Sequence, residues 1–293
     1  MYNGKVYVPP LKIQGIKTKL VPLITENVIR DNSTLWVEPF MGSGVVGLNI
    51  ASKKAIFADI NPHIINFYND LKCKKITSTS VYAYLNEQGA LLSEQGAEHY
   101  YYIRERFNEY NDPLDFLFLN RSCFNGMMRF NKKNGFNVPF CHKPQRFAKA
   151  YITKIVNQIR FFEAKLESNE WYFLNQSFED TITLADSNSF IYCDPPYIGR
   201  HVDYFDSWDE ERENLLKCCL QKTNSKFMLS TWDYNEYRKN PYIDSLWGDC
   251  NKVSHEHFYF VGAKEKNRGS MTEALLTNYR VPMKAKSLIQ NKV

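Results

Sequence analysis

Residues 33–60, STLWVEPFMGSGVVGLNIASKKAIFADI, contain two short apolar runs with a segment of small residues between them. Each run follows a polar break and has the length of a strand, whereas the segment between them begins with Gly42 and Gly44 and continues at helical spacing. The order therefore predicts a strand, a tight loop, a helix and a second strand. Two strands joined through a helix are expected to lie parallel in one sheet.

The same alternation of strands and helices continues along the chain. Asn61 and Pro62 precede HIINFYNDL, a run with apolar residues at helical spacing. Further patterns predict three strands, WYFLNQ (171–176), SFIYCD (189–194) and KFMLST (226–231), and one amphipathic helix, DEERENLLKCCLQK (209–222). We expect an α/β fold with a mostly parallel sheet that helices cover on both faces.

Residues 72–170 break this alternation. They contain long helical stretches and then residues 126–140, GMMRFNKKNGFNVPF, a pattern typical of a β-hairpin with an Asn-Gly pair at its turn. We predict one discontinuous α/β domain formed by residues 1–71 and 171–293. Residues 72–170 form an insertion between its two halves.

Composition narrows the class of protein. The chain has 293 residues, 44% of them apolar, and no stretch of about 20 uncharged apolar residues, which predicts a globular protein rather than a membrane protein. The first residues, MYNGKVYVPP, lack the apolar run of a signal peptide, so we expect a cytoplasmic location. Seven cysteines without a CxxC pair argue against a disulfide framework and against zinc, and no metal site is predicted. The net charge of +5 suits a polyanionic partner but is too common to identify one.

Gly42 and Gly44 stand where the first predicted strand turns into its helix, a place where an α/β sheet lets a ligand approach the backbone. A tight turn that requires positive φ explains these glycines equally well. The next strand ends in Asp59, at about the spacing at which an acid reaches a ribose hydroxyl in nucleotide-type sites. Because no GKS or GKT follows the glycines, a P-loop is disfavoured, and the apparent lack of a third glycine weakens the case for a dinucleotide. S-adenosylmethionine fits better as the cofactor.

Residues 192–200, YCDPPYIGR, place an acid and two prolines directly after a predicted strand. Pro195 and Pro196 have no N–H, and Pro196 keeps the residue before it extended, so the loop presents carbonyl oxygens. Asp194 and the carbonyl of Pro195 are together able to accept both hydrogens of an amino group such as N6 of adenine, on which Tyr197 is able to stack. Two acceptors favour a nitrogen whose lone pair points at an electrophilic methyl group, attacked in line. The alternative interpretation is a helix-capping acid in a loop ended by prolines.

The insertion carries a concentration of basic residues. Between Phe116 and Lys149 there is no acid, whereas seven basic residues occur: Arg121, Arg129, Lys132, Lys133, Lys143, Arg146 and Lys149. Phenylalanines alternate with them, which is the mixture expected where phosphates are neutralised and a base is displaced. Phe124 is a candidate wedge, whereas Phe136 and Phe140 alternate in the hairpin and are better explained as core residues.

Five motifs occur in one order along the chain: VEPFMGSG, ADINPHIINFYN, FLNRSCFNGMMRFN, FNVPF and DPPY. In this order they resemble the Dam-type adenine-N6 DNA methyltransferases, the alpha group of the D12 class, and the resemblance covers nearly the whole chain. It implies a Rossmann-like, seven-stranded methyltransferase sheet in which residues 72–170 form a target recognition domain. It also implies methyl transfer from S-adenosylmethionine to N6 of a flipped adenine in double-stranded DNA, without a metal and with S-adenosylhomocysteine as product.

The resemblance assigns roles to individual residues. The implied catalytic set is Asp194, Pro195, Pro196 and Tyr197. Cofactor contacts are implied for Lys17, Phe40, Gly42, Gly44, Asp59, Ile60, Ser177, Phe178 and Asp194. Together with the basic segment, the resemblance predicts DNA contacts for Lys12, Arg121, Phe124, Asn125, Met127, Arg129, Lys132, Lys133 and Pro139. The family's usual Trp-x-Gly-Gly-Lys motif stands here as IQGIK at residues 13–17, without the tryptophan and its cofactor contact.

Other functions share several of these features. A methyltransferase that acts on RNA or on a protein glutamine amide is the second hypothesis, although such enzymes typically have Asn in the place of Asp194. A non-catalytic DNA-binding module with this fold is the third. For the first hypothesis we expect a monomer associated with the nucleoid and a restriction endonuclease that acts on the same site without a stable complex. An orphan regulatory methylase, without a partner endonuclease, would have the same sequence features. Residues 201–208, HVDYFDSW, suit either a lid over the flipped base or an ordinary loop.

Overall fold

A computed structural model describes residues 4–31, 33–131, 133–198, 208–258 and 270–281. Lys132 and most of the stretch interpreted as a lid, residues 201–207, lie outside them. The strands are β1 (Leu35–Glu38), β2 (Lys54–Asp59), β3 (Glu170–Asn175), β4 (Ser189–Cys193), β5 (Lys226–Asn235), β6 (Asn251–Phe258) and β7 (Ser270–Thr277). They form one seven-stranded sheet in the order β3-β2-β1-β4-β5-β7-β6.

The sheet is mostly parallel. β1 pairs in parallel with β2 on one side and with β4 on the other, β3 extends the β2 side, and β5 extends the β4 side. β7 runs antiparallel between β5 and β6. This arrangement confirms the predicted α/β fold with a seven-stranded sheet. Because the strand order reverses between β1 and β4, the carboxyl ends of these two strands border the crevice where open α/β sheets bind ligands.

Helices connect the strands and form the insertion. In the described residues the α-helices are α1 (Val21–Asn27), α2 (Val45–Ile50), α3 (Pro62–Lys72), α4 (Ser78–Gln95), α5 (Ala97–Tyr110), α6 (Pro113–Ser122), α7 (Lys149–Ser168), α8 (Phe178–Ile182), α9 (Glu210–Lys222) and α10 (Pro241–Ser245). Two short 3-10 helices, Phe124–Gly126 and Pro144–Phe147, lie in the insertion. Local signals set the starts of the two helices that the sequence predicts most clearly. Asn61 caps α3 and Pro62 fills its first turn, whereas the side chain of Asp209 accepts a hydrogen bond from the third residue of α9. None of these helices is both long enough and apolar enough to cross a bilayer.

The insertion shares its core with the sheet. Phe162 of α7 packs against Tyr68 of α3 and Trp171 of β3, with ring centroids 4.7 Å and 6.1 Å away. One hydrophobic cluster contains buried residues of β1, β2 and β3 together with residues of α4, α5, α6 and α7. α7 therefore leads into β3 as a crossover helix, and its apolar face covers the sheet. The domain boundaries at residues 71 and 171 stay a prediction.

The predicted hairpin is present as an irregular fold-back of the chain. An isolated antiparallel bridge joins Phe130 to Phe136, in place of a continuous ladder of described residues. Asn134 has a φ of 63°, and its N–H donates to the carbonyl of Asn131, which closes a tight turn. Phe136 is 1% and Phe140 is 2% exposed, which confirms that both are core residues.

Candidate active site

Asp194 follows the last residue of β4 and lies beside two side chains from distant parts of the chain. Nζ of Lys17 is 3.0 Å from Oδ1 of Asp194, and Ser230 of β5 donates a hydrogen bond to the same oxygen at 2.8 Å. Both contacts fall on Oδ1, so Oδ2 has no hydrogen bond within the described part of the chain. Lys17 and Ser230 therefore orient this carboxylate through one of its two oxygens.

Lys17 is 6% exposed and is held by several neighbours. Its Nζ also donates to the carbonyl of Gly15 at 3.0 Å and lies 5.0 Å from the ring centroid of Tyr197. Burial by itself lowers the pKa of Lys17, but the combined effect of Asp194 and of the neighbouring acidic groups of Tyr197 and Glu273 outweighs burial, and the pKa is raised well above its usual value. Burial raises the pKa of Asp194, and the Lys17 ammonium opposes that change. A charged ammonium is thus fixed beside the carboxylate.

Pro195, Pro196 and Tyr197 complete the loop after β4. Pro195 is buried, and its carbonyl oxygen accepts no hydrogen bond from any described residue. The hydroxyl of Tyr197 donates to Oε1 of Glu273 on β7 at 3.5 Å. Because the two proline nitrogens have no hydrogen to donate, the loop keeps acceptors available next to Asp194.

The glycine loop after β1 is joined to Asp59. Gly42 has a φ of 50° and Gly44 a φ of 72°, which glycine adopts without strain. The N–H of Gly42 donates to Oδ2 of Asp59 at 2.8 Å, and the N–H of Asn61 donates to Oδ1 at 2.9 Å. Burial raises the pKa of Asp59, and these two hydrogen bonds oppose the change. Asp59 therefore anchors both the glycine loop and the start of α3, a role that the sequence did not predict.

Phe40, Phe178 and Trp208 form an aromatic cluster beside the glycine loop. The rings of Phe40 and Phe178 are stacked with centroids 5.3 Å apart, and the indole of Trp208 lies 5.5 Å from each. Ser177 caps α8 with its side chain, which brings Phe178 to the start of that helix. Ile60, directly after β2, is 50% exposed. Phe40, Ser177, Phe178 and Ile60 therefore lie at the carboxyl edge of the sheet, and Trp208, the last residue of the stretch interpreted as a lid or an ordinary loop, joins them there.

Two buried residues below this loop were absent from the predicted site. Glu38 ends β1, is 2% exposed, and accepts hydrogen bonds from the Trp36 indole at 2.9 Å and from the backbone N–H of Gly47. Burial raises the pKa of Glu38 to about 8, and the negative charge of Asp194 adds to this effect. Gly47 completes a G-x-G-x-x-G spacing with Gly42 and Gly44, a signal that is present in the sequence and that the prediction overlooked.

Gly47→Ala is expected to destabilise the fold by about 3 kcal/mol. A Cβ on Gly47 would lie 2.1 Å from Cε1 of Phe57 and 2.5 Å from Oε2 of Glu38, and Phe57 is itself 1% exposed. Gly42→Ala is the matched control, because a Cβ there meets no described atom within 4 Å and only its positive φ costs energy, about 1 kcal/mol. Urea unfolding of both variants measures the difference. Equal losses would contradict a close contact between α2 and β2.

Lys12 lies beside the turn that follows α6. Its backbone N–H donates to Oδ1 of Asn120 at 2.8 Å, and Nδ2 of Asn120 donates back to its carbonyl at 2.7 Å. A Cβ built on Gly126 would lie 2.5 Å from Cδ of Lys12, so the lysine stem crosses this turn. In the same turn Phe124 is 45% exposed, and Asn125 is exposed with a φ of 54°. Three predicted DNA contacts, Lys12, Phe124 and Asn125, thus form one exposed group, which we call the recognition turn.

The other predicted DNA contacts differ in accessibility. Lys133 and Pro139 are exposed, whereas Met127 and Arg129 are half-buried. Nε of Arg129 donates to Oδ1 of Asn137 at 2.8 Å, so this guanidinium braces the two sides of the fold-back. Lys133 is therefore the basic residue of this group that is most open to a phosphate.

The structure contradicts the prediction that Arg121 contacts DNA. It is 6% exposed, and its guanidinium donates to the carbonyl of Pro10 at 2.7 Å and to Oε1 of Gln158 at 2.6 Å. These bonds tie the N-terminal segment to α6 and α7 from inside the protein. A buried guanidinium with such partners is not available to a phosphate, so the positive charge of Arg121 belongs to the interior.

Comparison with known proteins places the chain in a family. Residues 14–264 match the D12 class N6 adenine-specific DNA methyltransferases. The chain is 40% identical over 191 residues to a DNA adenine methylase of Vibrio cholerae serotype O1, over 64% of this chain and 64% of that protein. It is 36% identical over 197 residues to the DNA adenine methylase of Haemophilus influenzae, over 64% of this chain and 63% of that protein.

In both cases the chain spans less than two-thirds of the relative's own length. A solved structure of the rRNA methyltransferase aviRa from Streptomyces viridochromogenes aligns with a TM-score of 0.39 and 12% identity, over 95% of this chain and 88% of that one. That likeness is too low to support an argument about this protein. The family match covers most of the sequence, and the chain belongs to the D12 class N6 adenine-specific DNA methyltransferase family.

Proposed function

We propose that this protein transfers a methyl group from S-adenosylmethionine to N6 of adenine in double-stranded DNA. The placement of Asp194 carries the proposal. Lys17 and Ser230 hold one carboxylate oxygen, while the other oxygen and the carbonyl of Pro195 accept no hydrogen bond from the residues that the structure describes. Membership of the family supports this activity, and the relatives compared above are named DNA adenine methylases.

The residues at the carboxyl ends of β1, β2 and β3 fit an adenosine-containing cofactor. Asp59 would hold the ribose, the exposed Ile60 would pack on the adenine, and the open space at Gly42 would let a ligand approach the backbone. The other proposed cofactor contacts are Lys17, Phe40, Gly44, Ser177, Phe178 and Asp194. When bound, S-adenosylmethionine supplies an electrophilic methyl group on a positively charged sulfur. The described residues contain no group of three or more His, Cys, Asp or Glu side chains suited to a metal ion, and the proposal includes none.

The loop after β4 would prepare the adenine amine for attack. N6 is a poor nucleophile because its lone pair is delocalised into the ring. Oδ2 of Asp194 and the carbonyl of Pro195 would each accept one N6–H, which favours a nitrogen whose lone pair points at the methyl group. Tyr197 would stack on the base. Asp194 and Pro195 would orient N6 for direct attack on the methyl group that the cofactor supplies, without a covalent enzyme intermediate. Oδ2 of Asp194 would already be hydrogen-bonded to the proton that N6 loses as S-adenosylhomocysteine leaves.

The recognition turn is proposed to enter the duplex beside the target adenine. Taking a base out of the stack costs a few kcal/mol. The exposed ring of Phe124 would fill the gap, and Lys12 and Asn125 would contact base edges next to it. Met127, Arg129 and Pro139 remain proposed base contacts, and Lys133 would neutralise phosphate. In this proposal residues 72–170 act as the target recognition domain.

Phrases within the motifs favour one target. VPPLKIQGIKTKL, FLFLNRSCFNGM and DPPYIGRHVDYF are similar to the EcoRV modification methylase, so we propose a site that contains GAT, such as GATATC. The proposed role is the modification half of a type II restriction-modification system, whose endonuclease acts on the same site without a stable complex. An orphan regulatory methylase is the alternative role. We also propose that the protein is a monomer, that it acts on nucleoid DNA in the cytoplasm, and that it modifies each strand in a separate event.

Expression in a methylation-deficient bacterial host, followed by single-molecule sequencing of the genomic DNA, tests this function. We expect N6-methyladenine confined to one short motif, and GATATC would support the finer target. Unmodified DNA from cells that contain folded protein able to bind S-adenosylhomocysteine would contradict DNA as substrate and favour RNA or a protein amide. Competition between duplex DNA and RNA in a methyl-transfer assay then separates the two nucleic acids. Protein that binds DNA but not S-adenosylmethionine would favour the non-catalytic module.

A further inference from the structure

Glu213 is a buried carboxylate that the proposed reaction does not use. It lies in the first turn of α9, is 6% exposed, and contacts no cation in the described part of the chain. Its Oε2 accepts a hydrogen bond from the Trp208 indole at 2.6 Å, and its Oε1 accepts one from the Trp247 indole at 2.9 Å. Burial raises the pKa of Glu213, and the two indole hydrogen bonds oppose the change. Each carboxylate oxygen is thus matched to one indole N–H.

The two indoles have different surroundings. Trp247 is 2% exposed and packs in the core against Phe227, with ring centroids 6.3 Å apart. Trp208 is half-buried and lies against Phe40 and Phe178 in the aromatic cluster. Glu213 therefore connects an indole that the core holds in place to an indole at the edge of the candidate cofactor pocket.

The neighbouring residue of α9 holds a second ring of the same cluster. Nη1 of Arg212 donates to Oε1 of Glu179 at 2.7 Å, and its guanidinium lies 5.9 Å from the ring centroid of Phe178. Arg212 and Glu213 thus act on Phe178 and Trp208 from one helical turn. The first turn of α9 therefore contacts two of the three rings of the aromatic cluster.

We propose that Glu213 is a positioning residue for S-adenosylmethionine: by holding Trp208 against Phe40 and Phe178, it fixes an aromatic wall of the pocket for the adenosine end of the cofactor. The inference rests on the proposed function. A ring that is already held in its bound orientation loses little conformational entropy when a ligand packs on it. The entropic cost of binding is then smaller, and the affinity is higher. A free indole at this position would lose that freedom on binding.

Glu213→Gln tests the role, because a glutamine has a single acceptor oxygen and its amide would face the second indole N–H donor to donor. We expect the Kd for S-adenosylhomocysteine, measured by calorimetry, to rise about five-fold. Glu211→Gln, an exposed position on the same helix, is the matched control and is expected to bind like the wild type. The affinity of Glu213→Gln for duplex DNA without cofactor should stay within about two-fold of the wild type, since the recognition turn is not touched.

Trp208→Phe and Trp247→Phe extend the test without removing a charge. S-adenosylhomocysteine is added to the wild type and to Trp208→Phe, and the change in tryptophan fluorescence is measured in each. Subtracting the second change from the first gives the signal of Trp208. We expect that signal to be smaller in Glu213→Gln, and we expect Trp208→Phe to weaken cofactor binding more than Trp247→Phe. If Glu213→Gln fails to fold, Trp208→Phe, which keeps an aromatic ring but removes one donor, still measures the contact.

The outcomes separate this inference from the proposed function. Wild-type protein that binds no S-adenosylhomocysteine would overturn both. Wild-type protein that binds it, together with unchanged affinity in folded Glu213→Gln and in Trp208→Phe, would overturn only the role of Glu213. A parallel loss of cofactor affinity, DNA affinity and thermal stability would show that Glu213 supports the fold in general, and it would also overturn the positioning role.

Discussion

Asp194→Ala is expected to lower the rate of methyl transfer about 10²- to 10³-fold, because it removes a preorganised acceptor for an N6 hydrogen. The Kd for S-adenosylhomocysteine is expected to change by less than about three-fold. Among the proposed cofactor contacts only Asp194 is replaced and only Lys17 loses a partner, while the glycine loop, Asp59 and the aromatic cluster are untouched. Single-turnover methyl transfer to duplex DNA measures the first quantity, and calorimetry measures the second. Near wild-type transfer by Asp194→Ala would contradict the proposed role of the loop after β4.

The alanine variant also leaves Lys17 without its partner. Removing one member of a buried ion pair typically costs about 3–5 kcal/mol, so Asp194→Ala needs a companion that folds more readily. Asp194→Asn keeps an acceptor oxygen for Ser230 and for the substrate but removes the charge, and we expect an intermediate rate. Asp244→Asn is the matched control, because Asp244 is an exposed residue of α10 paired with Lys239. It is expected to transfer methyl groups like the wild type.

Glu38→Gln is expected to change how stability depends on pH. Below about pH 4.5 the Glu38 carboxyl is protonated in both the folded and the unfolded chain. Between its usual pKa of 4.5 and its folded pKa of about 8, the unfolded chain has released the proton while the folded chain retains it. Each rise in pH through this window therefore favours unfolding, by up to about 5 kcal/mol in total at about 1.4 kcal/mol per pKa unit.

Urea unfolding at several values between about pH 5 and about pH 8 measures this effect. We expect the free energy of unfolding of the wild type to fall relative to that of Glu38→Gln as the pH rises. The difference between the two curves isolates Glu38, because the other buried carboxyls are the same in both chains. Glu167→Gln, an exposed residue of α7 paired with Lys74, is the control and should run parallel to the wild type. Parallel curves for Glu38→Gln as well would contradict the raised pKa.

The sequence alone determined the fold class and the chain positions of the site. Residues 33–60 predict two parallel strands around a glycine loop, and the structure has β1, α2 and β2 there. This succeeded because the patterns are local: periodicity marks each element, and consecutive parallel strands place the loops that follow them at one edge of the sheet. The same logic placed DPPY at the carboxyl end of β4. Gly47 was equally visible in the spacing of the glycines and was overlooked.

Tertiary structure decided which side chains meet. Lys17 pairs with Asp194, and Lys12 crosses the turn at Gly126, although each pair is far apart in the sequence. Arg121 faces the interior and not the solvent. The number of basic residues in a segment does not indicate which of them are buried.

Glu38 and Glu213 show the same limit for acids. Both look like ordinary charged residues in the sequence, yet each is buried and bound by indole N–H groups. The direction of a side chain and the polarity around it depend on packing between elements that are remote in the chain. Local patterns therefore predicted the scaffold, and only the folded core determined the electrostatics of the site.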